Sequence, residues 1–328
     1  MESYWGGLSG LTYDAQRDRF YSISDDRSQN APARFYQLQI QPRGDRLTNA
    51  QVRFLHSQVL AQDDQTPFAP NTVDPEGIVL TPSNTLWISS EGIAPDGILP
   101  FVREFSLPGQ PLASLPIPQH YWPQPDWGVG DNLGFESLTL TPSGQFLVTA
   151  VENALIQDGP KAAVGQSSPA RLLVFDLARQ RVAGEYVYHT DPVVVPPNPA
   201  NGFSAAGLVE LLALDDDRFL ALERMFAQGS RGMPGNNGMT VRLYEIDRRA
   251  ATDVQVIDSL AGSALDNVIP VEKQLVLDLT TLGIPLSNLE GMALGPKLGD
   301  GRRSLLLISD DNFGGGEFTQ ILLFAINE

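Results

Sequence analysis

Five copies of one strand pattern run along the chain and constrain its fold more than any other feature. In each copy a short apolar strand, usually introduced by Glu-Gly or Glu-Ser, precedes a second apolar strand that ends in an acid. The copies begin about 60 to 80 residues apart, which is too long for a helical hairpin and suits a four-stranded sheet with its loops. Their first residues are Ser9, Glu76, Glu136, Glu210 and Glu290.

Each copy continues with a third apolar segment, and most copies add a weaker fourth one. Helical periodicity is almost absent, and the 30 glycines and 25 prolines punctuate the chain densely. Such a series of short strands separated by turn residues is typical of a propeller. The sequence therefore predicts an all-β fold, a β-propeller of five blades, with six as the alternative, each a four-stranded antiparallel sheet. Because a closed ring cannot be divided without breaking contacts, we expect residues 1–328 to form a single domain.

Loop lengths place the acids on one face of the predicted ring. Connections between first and second strands are tight, whereas those after the second and fourth strands are long. Antiparallel alternation therefore puts the starts of the first strands and the ends of the second strands at the long-loop end. Long loops on a rigid scaffold are the usual place for a binding face.

The acids of this face have the chemistry of a calcium site. Calcium takes six to eight oxygen ligands from carboxylates, carbonyls and water. Packing carboxylates around a narrow axis without a cation is costly through repulsion and desolvation. Each acid could instead do a structural task in its own blade, such as accepting backbone N–H bonds or pairing with the arginine that begins the third strand. The predicted metal ligands are Asp25, Glu76, Glu91, Glu136, Glu152, Glu210, Glu290 and Asp310.

Other residues of the long loops are candidates for catalysis or substrate binding. Guanidinium groups match phosphate and carboxylate oxygens with two parallel hydrogen bonds, although a solvated loop arginine is the usual alternative. The sequence His189-Thr190-Asp191 could supply a base and an orienting carboxylate. We predict Glu223, Arg224 and His189 as catalytic residues, and Arg231, Arg27 and Lys161 as substrate-binding residues.

Composition narrows the classes of partner. The net charge of −17 argues against nucleic-acid binding, which depends on lysine and arginine against phosphate, and suits cations. The chain has no cysteine, so disulfides and thiolate metal sites are excluded. No apolar run reaches the length of a membrane span. We expect a monomer that acts on a small anionic substrate.

Five ordered motifs together resemble the phytase-like family, described as having "esterase-like activity of phytase". The motifs are Gly6 to Leu11, Asp74 to Ile78, Asn132 to Leu138, Asn288 to Met292 and Ile308 to Phe313. The resemblance covers nearly the whole chain. It implies a β-propeller that is commonly exported, to the periplasm or the exterior, and that hydrolyses phosphoesters with calcium.

The functional expectation joins this resemblance to the acidic face. We expect a calcium-dependent phosphoester hydrolase or esterase in which a metal-bound water attacks and arginine neutralises the developing charge. Two alternatives stay open, namely a propeller that binds a ligand or protein without catalysis, and a lactonase-like calcium enzyme.

The two ends of the chain carry their own expectations. The first repeat begins so soon after Met1 that we expect an export signal to have preceded it. Too few residues follow Ile326 for a fourth strand in the last blade. We therefore expect Met1–Tyr4 to lie beside that blade as a short outer strand that covers its edge, or else that edge to be left open because the chain has been shortened.

Overall fold

Five antiparallel sheets, the blades, surround a central axis in the computed structural model, which describes residues 5–44, 46–230, 237–314 and 316–327. The predicted all-β, five-bladed propeller is confirmed. None of the helices in these ranges is long and apolar enough to cross a membrane. They are short 3-10 turns at Asn49–Gln51, Ala94–Asp96, Gln119–Tyr121, Gly262–Asn267 and Leu279–Leu282.

Strands follow chain order within each blade, and the first strand is the innermost because it contacts the first strands of neighbouring blades. Blade 1 contains β1 Leu8–Asp14, β2 Arg19–Ser24, β3 Arg34–Ile40 and β4 Val52–Val59. Blade 2 contains β5 Pro75–Leu80, β6 Thr85–Ser90, β7 Phe101–Ser106 and β8 Pro111–Ser114. Blade 3 contains β9 Thr139–Leu140, β10 Phe146–Ala150, β11 Pro169–Asp176 and β12 Arg181–His189.

The last two blades differ in their number of strands. Blade 4 contains β13 Ser204–Ala213, β14 Arg218–Ala227, β15 Met239–Asp247 and β16 Glu272–Asp278. Blade 5 has three strands in the described ranges, namely β17 Asn288–Lys297, β18 Arg303–Asp310 and β19 Ile321–Ile326. Buried aliphatic and aromatic side chains fill the spaces between adjacent blades.

The ring closes where β1 meets β17 of the last blade. The backbone N–H of Gly7 donates to Asp311 Oδ1 at 3.0 Å, which ties the entry to β1 to the loop after β18. Trp5 packs on blade 1, with its ring centroid 5.1 Å from that of Tyr36. The outer strand predicted for Met1–Tyr4 lies outside the described residues.

Glycine after the first residue of the repeat allows the inner strands to approach closely. A Cβ atom on Gly10 would lie 2.8 Å from the backbone oxygen of Glu76, and one on Gly291 would lie 2.3 Å from that of Ser9. Real Cβ atoms do not approach backbone so closely, so a side chain at either position would push neighbouring blades apart. The Glu-Gly pattern thus combines an acidic side chain with a glycine that allows the backbones of neighbouring inner strands to lie close together.

Candidate metal centre and adjoining cavity

Irregular pairing at the start of the inner strands sets the direction of the acids. The register between first and second strands shifts around Glu76-Gly77 in blade 2 and at Glu290 in blade 5. A bulge leaves the extra residue unpaired and can re-aim its side chain. Glu76 and Glu290 therefore leave the regular in-and-out alternation of their strands and join the other acids near the axis.

Eight carboxyl groups, which we call the axial acids, interact electrostatically with one another in this region. Seven of the eight predicted metal ligands are among them, and Glu210 is not. Asp74 joins them and was not predicted, although it stands within a recognised motif, two residues before Glu76. The axial acids are Asp25, Asp74, Glu76, Glu91, Glu136, Glu152, Glu290 and Asp310.

Asp25, Asp74 and Glu76 form the tightest group, since each offers a carboxylate oxygen within 4.8 Å of the others. Arg27 forms a hydrogen bond with one member of this group. Its Nε donates to Asp74 Oδ2 at 2.7 Å, and its Nη2 donates to Asn132 Oδ1 at 2.8 Å. The structure thus places Arg27, a predicted substrate-binding residue, at the edge of the acids, where it connects loops from three blades.

Burial raises the pKa of the axial acids, and repulsion between neighbours raises it further in most of them. Both effects hold the pKa values of Asp25, Glu76, Glu91 and Glu136 well above their usual range. The pKa of Asp310 rises to about 8, first through burial and then through Glu290. At neutral pH the group therefore favours taking up either protons or a cation.

Unpartnered oxygen atoms show that the arrangement fits a cation. Asp74 Oδ1, Glu91 Oε2, Asn288 Oδ1 and Glu290 Oε2 are buried and accept no hydrogen bond from any described residue. An oxygen atom buried without a donor is costly. Carboxylate and amide oxygens are also the donor set that calcium prefers.

Blade 4 differs from the other blades because it contributes an arginine side chain where they contribute acids. Leu208 pairs with Glu223, and Glu210 pairs with Leu222, so Val209 is the residue left unpaired in β13. By register, Val209 therefore corresponds to Glu290, and Arg224 corresponds to Asp310. Arg224 Nη2 lies 3.5 Å from Glu152 Oε1 and 3.3 Å from Glu290 Oε1.

Glu210 and Glu223 consequently lie one residue away from the positions that the repeat assigned to them. In a strand, one residue reverses the side-chain direction. Glu210 Oε1 accepts the backbone N–H groups of Leu211 at 2.9 Å and Leu138 at 3.4 Å, which is the structural role left open above. Glu223 Oε1 instead accepts from Tyr188 Oη at 2.6 Å and Lys273 Nζ at 2.5 Å, between blades 3 and 4.

The predicted base His189 lies in this second group rather than among the axial acids. Its backbone oxygen accepts from Lys273 Nζ at 3.0 Å. Burial, and then the positive charge of Lys273, lower the pKa of His189. Lys273 thus contacts both His189 and Glu223, whereas the guanidinium of Arg224 lies beside Glu152 and Glu290. The catalytic roles of His189, Glu223 and Arg224 stay predictions, and Arg231 lies outside the described residues.

A cavity of about 360 Å³ opens beside the axial acids. Glu152 and Arg224 form part of its wall and connect it to the axis. Lys161, a predicted substrate-binding residue, also lines it. The apolar residues of the wall, which were not predicted, are Leu133, Phe203, Phe226 and Met239.

We expect the calcium-free protein to lose stability as the pH rises from about 5 to about 8. Folding raises the pKa of Glu152 from 4.5 to about 7 and that of Asp310 from 3.8 to about 8. The folded state thus binds more protons than the unfolded state across this window, so deprotonation favours unfolding. The lowered pKa of His189 acts in the opposite direction, whereas aspartates with a lowered pKa, such as Asp14 and Asp191, titrate below this window.

Urea unfolding at pH 5 and pH 8 in a chelator measures this dependence, and the same series in calcium provides the control. Calcium should flatten the decline, because a bound cation replaces the protons. A calcium-free protein that is more stable at pH 8 than at pH 5 would contradict the assignment.

Comparison with known proteins places the chain in a family. A family model described as "Phytase-like: Esterase-like activity of phytase" matches residues 3–313. An uncharacterized secreted protein of Arthroderma benhamiae is 27% identical over 183 residues, which cover 47% of this chain and 34% of that protein. The chain thus spans well under half the length of this curated relative.

Solved propellers resemble the chain only in outline. The periplasmic gluconolactonase PpgL of Pseudomonas aeruginosa is 13% identical with a TM-score of 0.40, covering 99% of this chain and 90% of that one. A xylan beta-1,4-xylosidase from Bacillus halodurans C-125 is 11% identical with a TM-score of 0.46, covering 99% and 54%. These likenesses carry no functional argument. The match over residues 3–313, in contrast, shows that the chain belongs to the phytase-like family.

Proposed function

We propose that this protein is a calcium-dependent hydrolase of phosphoesters or related esters, with its active site at the axial acids and the adjoining cavity. The observation that carries the proposal is the convergence of buried carboxylates with unpartnered oxygens next to a cavity that contains two cationic side chains. Membership of a family described by esterase-like activity supports the reaction class.

Asp25, Asp74 and Glu76 would hold the calcium ion, because their oxygen atoms already lie within 4.8 Å of one another. Glu91 and Glu136 interact electrostatically with Glu76 and would add negative charge around the site. When bound, calcium supplies a Lewis acid that polarises the ester and activates water. Arg27 keeps the Asp74 carboxylate in place through its 2.7 Å hydrogen bond.

The residues of the cavity wall would bind and orient the substrate. Arg224 carries an Nε that has no hydrogen-bond partner among the described residues, so this guanidinium retains capacity for an anion. Lys161 adds a second positive charge. Glu152 has a pKa raised to about 7, so its carboxyl group can transfer a proton to the leaving alcohol near neutral pH.

The cellular setting is part of the proposal. The secreted relative supports export, and the size of the cavity supports a small anionic substrate. We infer that the protein acts outside the cytoplasm, as a monomer.

Calcium titration of hydrolysis tests this function. Metal-depleted protein should be inactive on 4-nitrophenyl phosphate and should regain activity with calcium. Tight ligand binding without turnover at any calcium concentration would favour the non-catalytic, ligand-binding alternative.

In the same assay, Arg224→Ala should lower kcat/KM for 4-nitrophenyl phosphate about tenfold more than it lowers kcat/KM for neutral 4-nitrophenyl acetate. The reason is that the lost charge-assisted hydrogen bonds serve the anion alone. Arg218→Ala is the matched control, since Arg218 pairs with Asp215 in an exposed turn. Equal losses on both substrates would show that Arg224 does not bind the anion.

A further inference from the structure

The lining of the cavity beside the axial acids combines two kinds of side chain. Lys161 and Arg224 supply positive charge, and Leu133, Phe203, Phe226 and Met239 supply apolar surface. Ligand cavities of this kind are lined mainly by apolar groups with a few polar groups that fix orientation. The lining can therefore accept a molecule that carries both an anionic group and an apolar group.

Phe203 is the most exposed apolar residue of the cavity wall. Its side chain is 61% exposed although it borders the cavity, and its ring lies 6.1 Å from that of Phe226. The neighbouring Met239, by contrast, is buried. An aryl or alkyl group placed against Phe203 would remove this exposed ring from water.

The charge of the wall limits how many anionic groups a ligand can carry. Besides Lys161 and Arg224, three acids line the cavity, namely Asp131, Glu152 and Glu317. Lys161 and Arg224 both interact with Glu152, so one phosphate bound to these two cationic groups would lie beside Glu152, the proposed proton donor. Further phosphates on the same molecule would meet carboxylates, and like charges at short distance repel.

We propose that the cavity selects monoesters with one anionic group and an aryl or short alkyl group, and rejects polyphosphorylated polyols. The volume of about 360 Å³ is near the lower end for ligand cavities, about 300–1,000 Å³, and suits one ring with one phosphate. The hydrolytic part of this inference rests on the proposed function, whereas the binding preference does not.

Calorimetric titration with phosphonates tests the binding preference without requiring turnover. Phenylphosphonate should bind the calcium-loaded protein about tenfold more tightly than methylphosphonate, because its ring is buried against apolar surface. Phe203→Ser should reduce this ratio several-fold while leaving methylphosphonate binding nearly unchanged. The control is Leu112→Ala, at a residue that is 54% exposed on the outer strand β8. Equal binding of the two phosphonates, or no binding of either, would overturn the proposal.

Hydrolysis provides the second measurement. Water adds to phosphorus, the ester P–O bond breaks, and the alcohol leaves with a proton, so a single assay of released phosphate serves all substrates. We expect 1-naphthyl phosphate to be hydrolysed faster than glycerol 2-phosphate, and inositol hexakisphosphate to be the poorest substrate at low concentration. Preferred hydrolysis of inositol hexakisphosphate would overturn the selectivity while leaving the proposed function intact. Selective phosphonate binding without hydrolysis of any ester would support the binding preference and contradict the proposed function.

Discussion

Replacing Arg171 with methionine is expected to lower the free energy of unfolding by about 3 to 5 kcal/mol, because two buried carboxylates would lose their cation. Arg171 Nε lies 2.6 Å from Asp158 Oδ2, and Nη1 lies 2.7 Å from Glu185 Oε1. All three side chains are fully buried. Asp158 also accepts the backbone N–H of Leu260, so the network anchors a distant loop to blade 3.

Urea unfolding followed by circular dichroism measures this loss, with Arg179→Met as the matched control. Arg179 pairs with Asp176, but its side chain is 63% exposed. Water and salt screen such a pair, so its loss should cost less than about 1 kcal/mol. Similar losses in the two variants would contradict the view that burial determines the contribution of each pair.

Calcium at a hundredfold excess over its dissociation constant is expected to add about 2.7 kcal/mol to the free energy of unfolding. For a chain of this size, that corresponds to a rise in Tm of about 4 °C. The physical reason is that the cation binds the folded arrangement of Asp25, Asp74 and Glu76 and relieves their mutual repulsion. Scanning calorimetry in calcium and in chelator measures the shift.

Glu76→Gln separates this effect from general salt stabilisation. The variant should lose most of the calcium-dependent shift and be at least as stable as the parent in chelator, because one of the repelling charges is gone. Asp300→Asn, in an exposed turn, should retain the full shift. If neither calcium nor chelator changed the Tm of the parent protein, the proposed metal centre would be contradicted.

The repeat was sufficient to predict the five blades and to select seven of the axial acids, because strand order and acid position recur together. It failed in blade 4, where Glu210 and Glu223 continue the pattern in sequence but Val209 and Arg224 occupy the equivalent places in the sheet. Only the position of the bulge decides between two alignments that differ by one residue. A sequence in which both alignments keep apolar strands contains no signal for that choice.

The remaining parts of the site come from loops and strand ends, where periodicity gives no direction. Asp74 precedes its strand, so alternation along β5 did not indicate that its carboxylate joins Asp25. The cavity likewise combines Leu133 and Lys161 from separate loops with Phe226 from β14. Such tertiary proximity depends on the closure of the whole ring.

Because Asp25 follows β2 of blade 1 and Asp310 ends β18 of blade 5, acids that repel one another come from both ends of the chain. Contacts between residues so far apart in sequence form late, since a long loop must close before they are made. Individual blades can therefore gain their sheets before the carboxylates meet. The repulsion between Asp25 and Asp310 therefore arises when the ring closes, and its cost falls on that step rather than on the formation of the individual sheets.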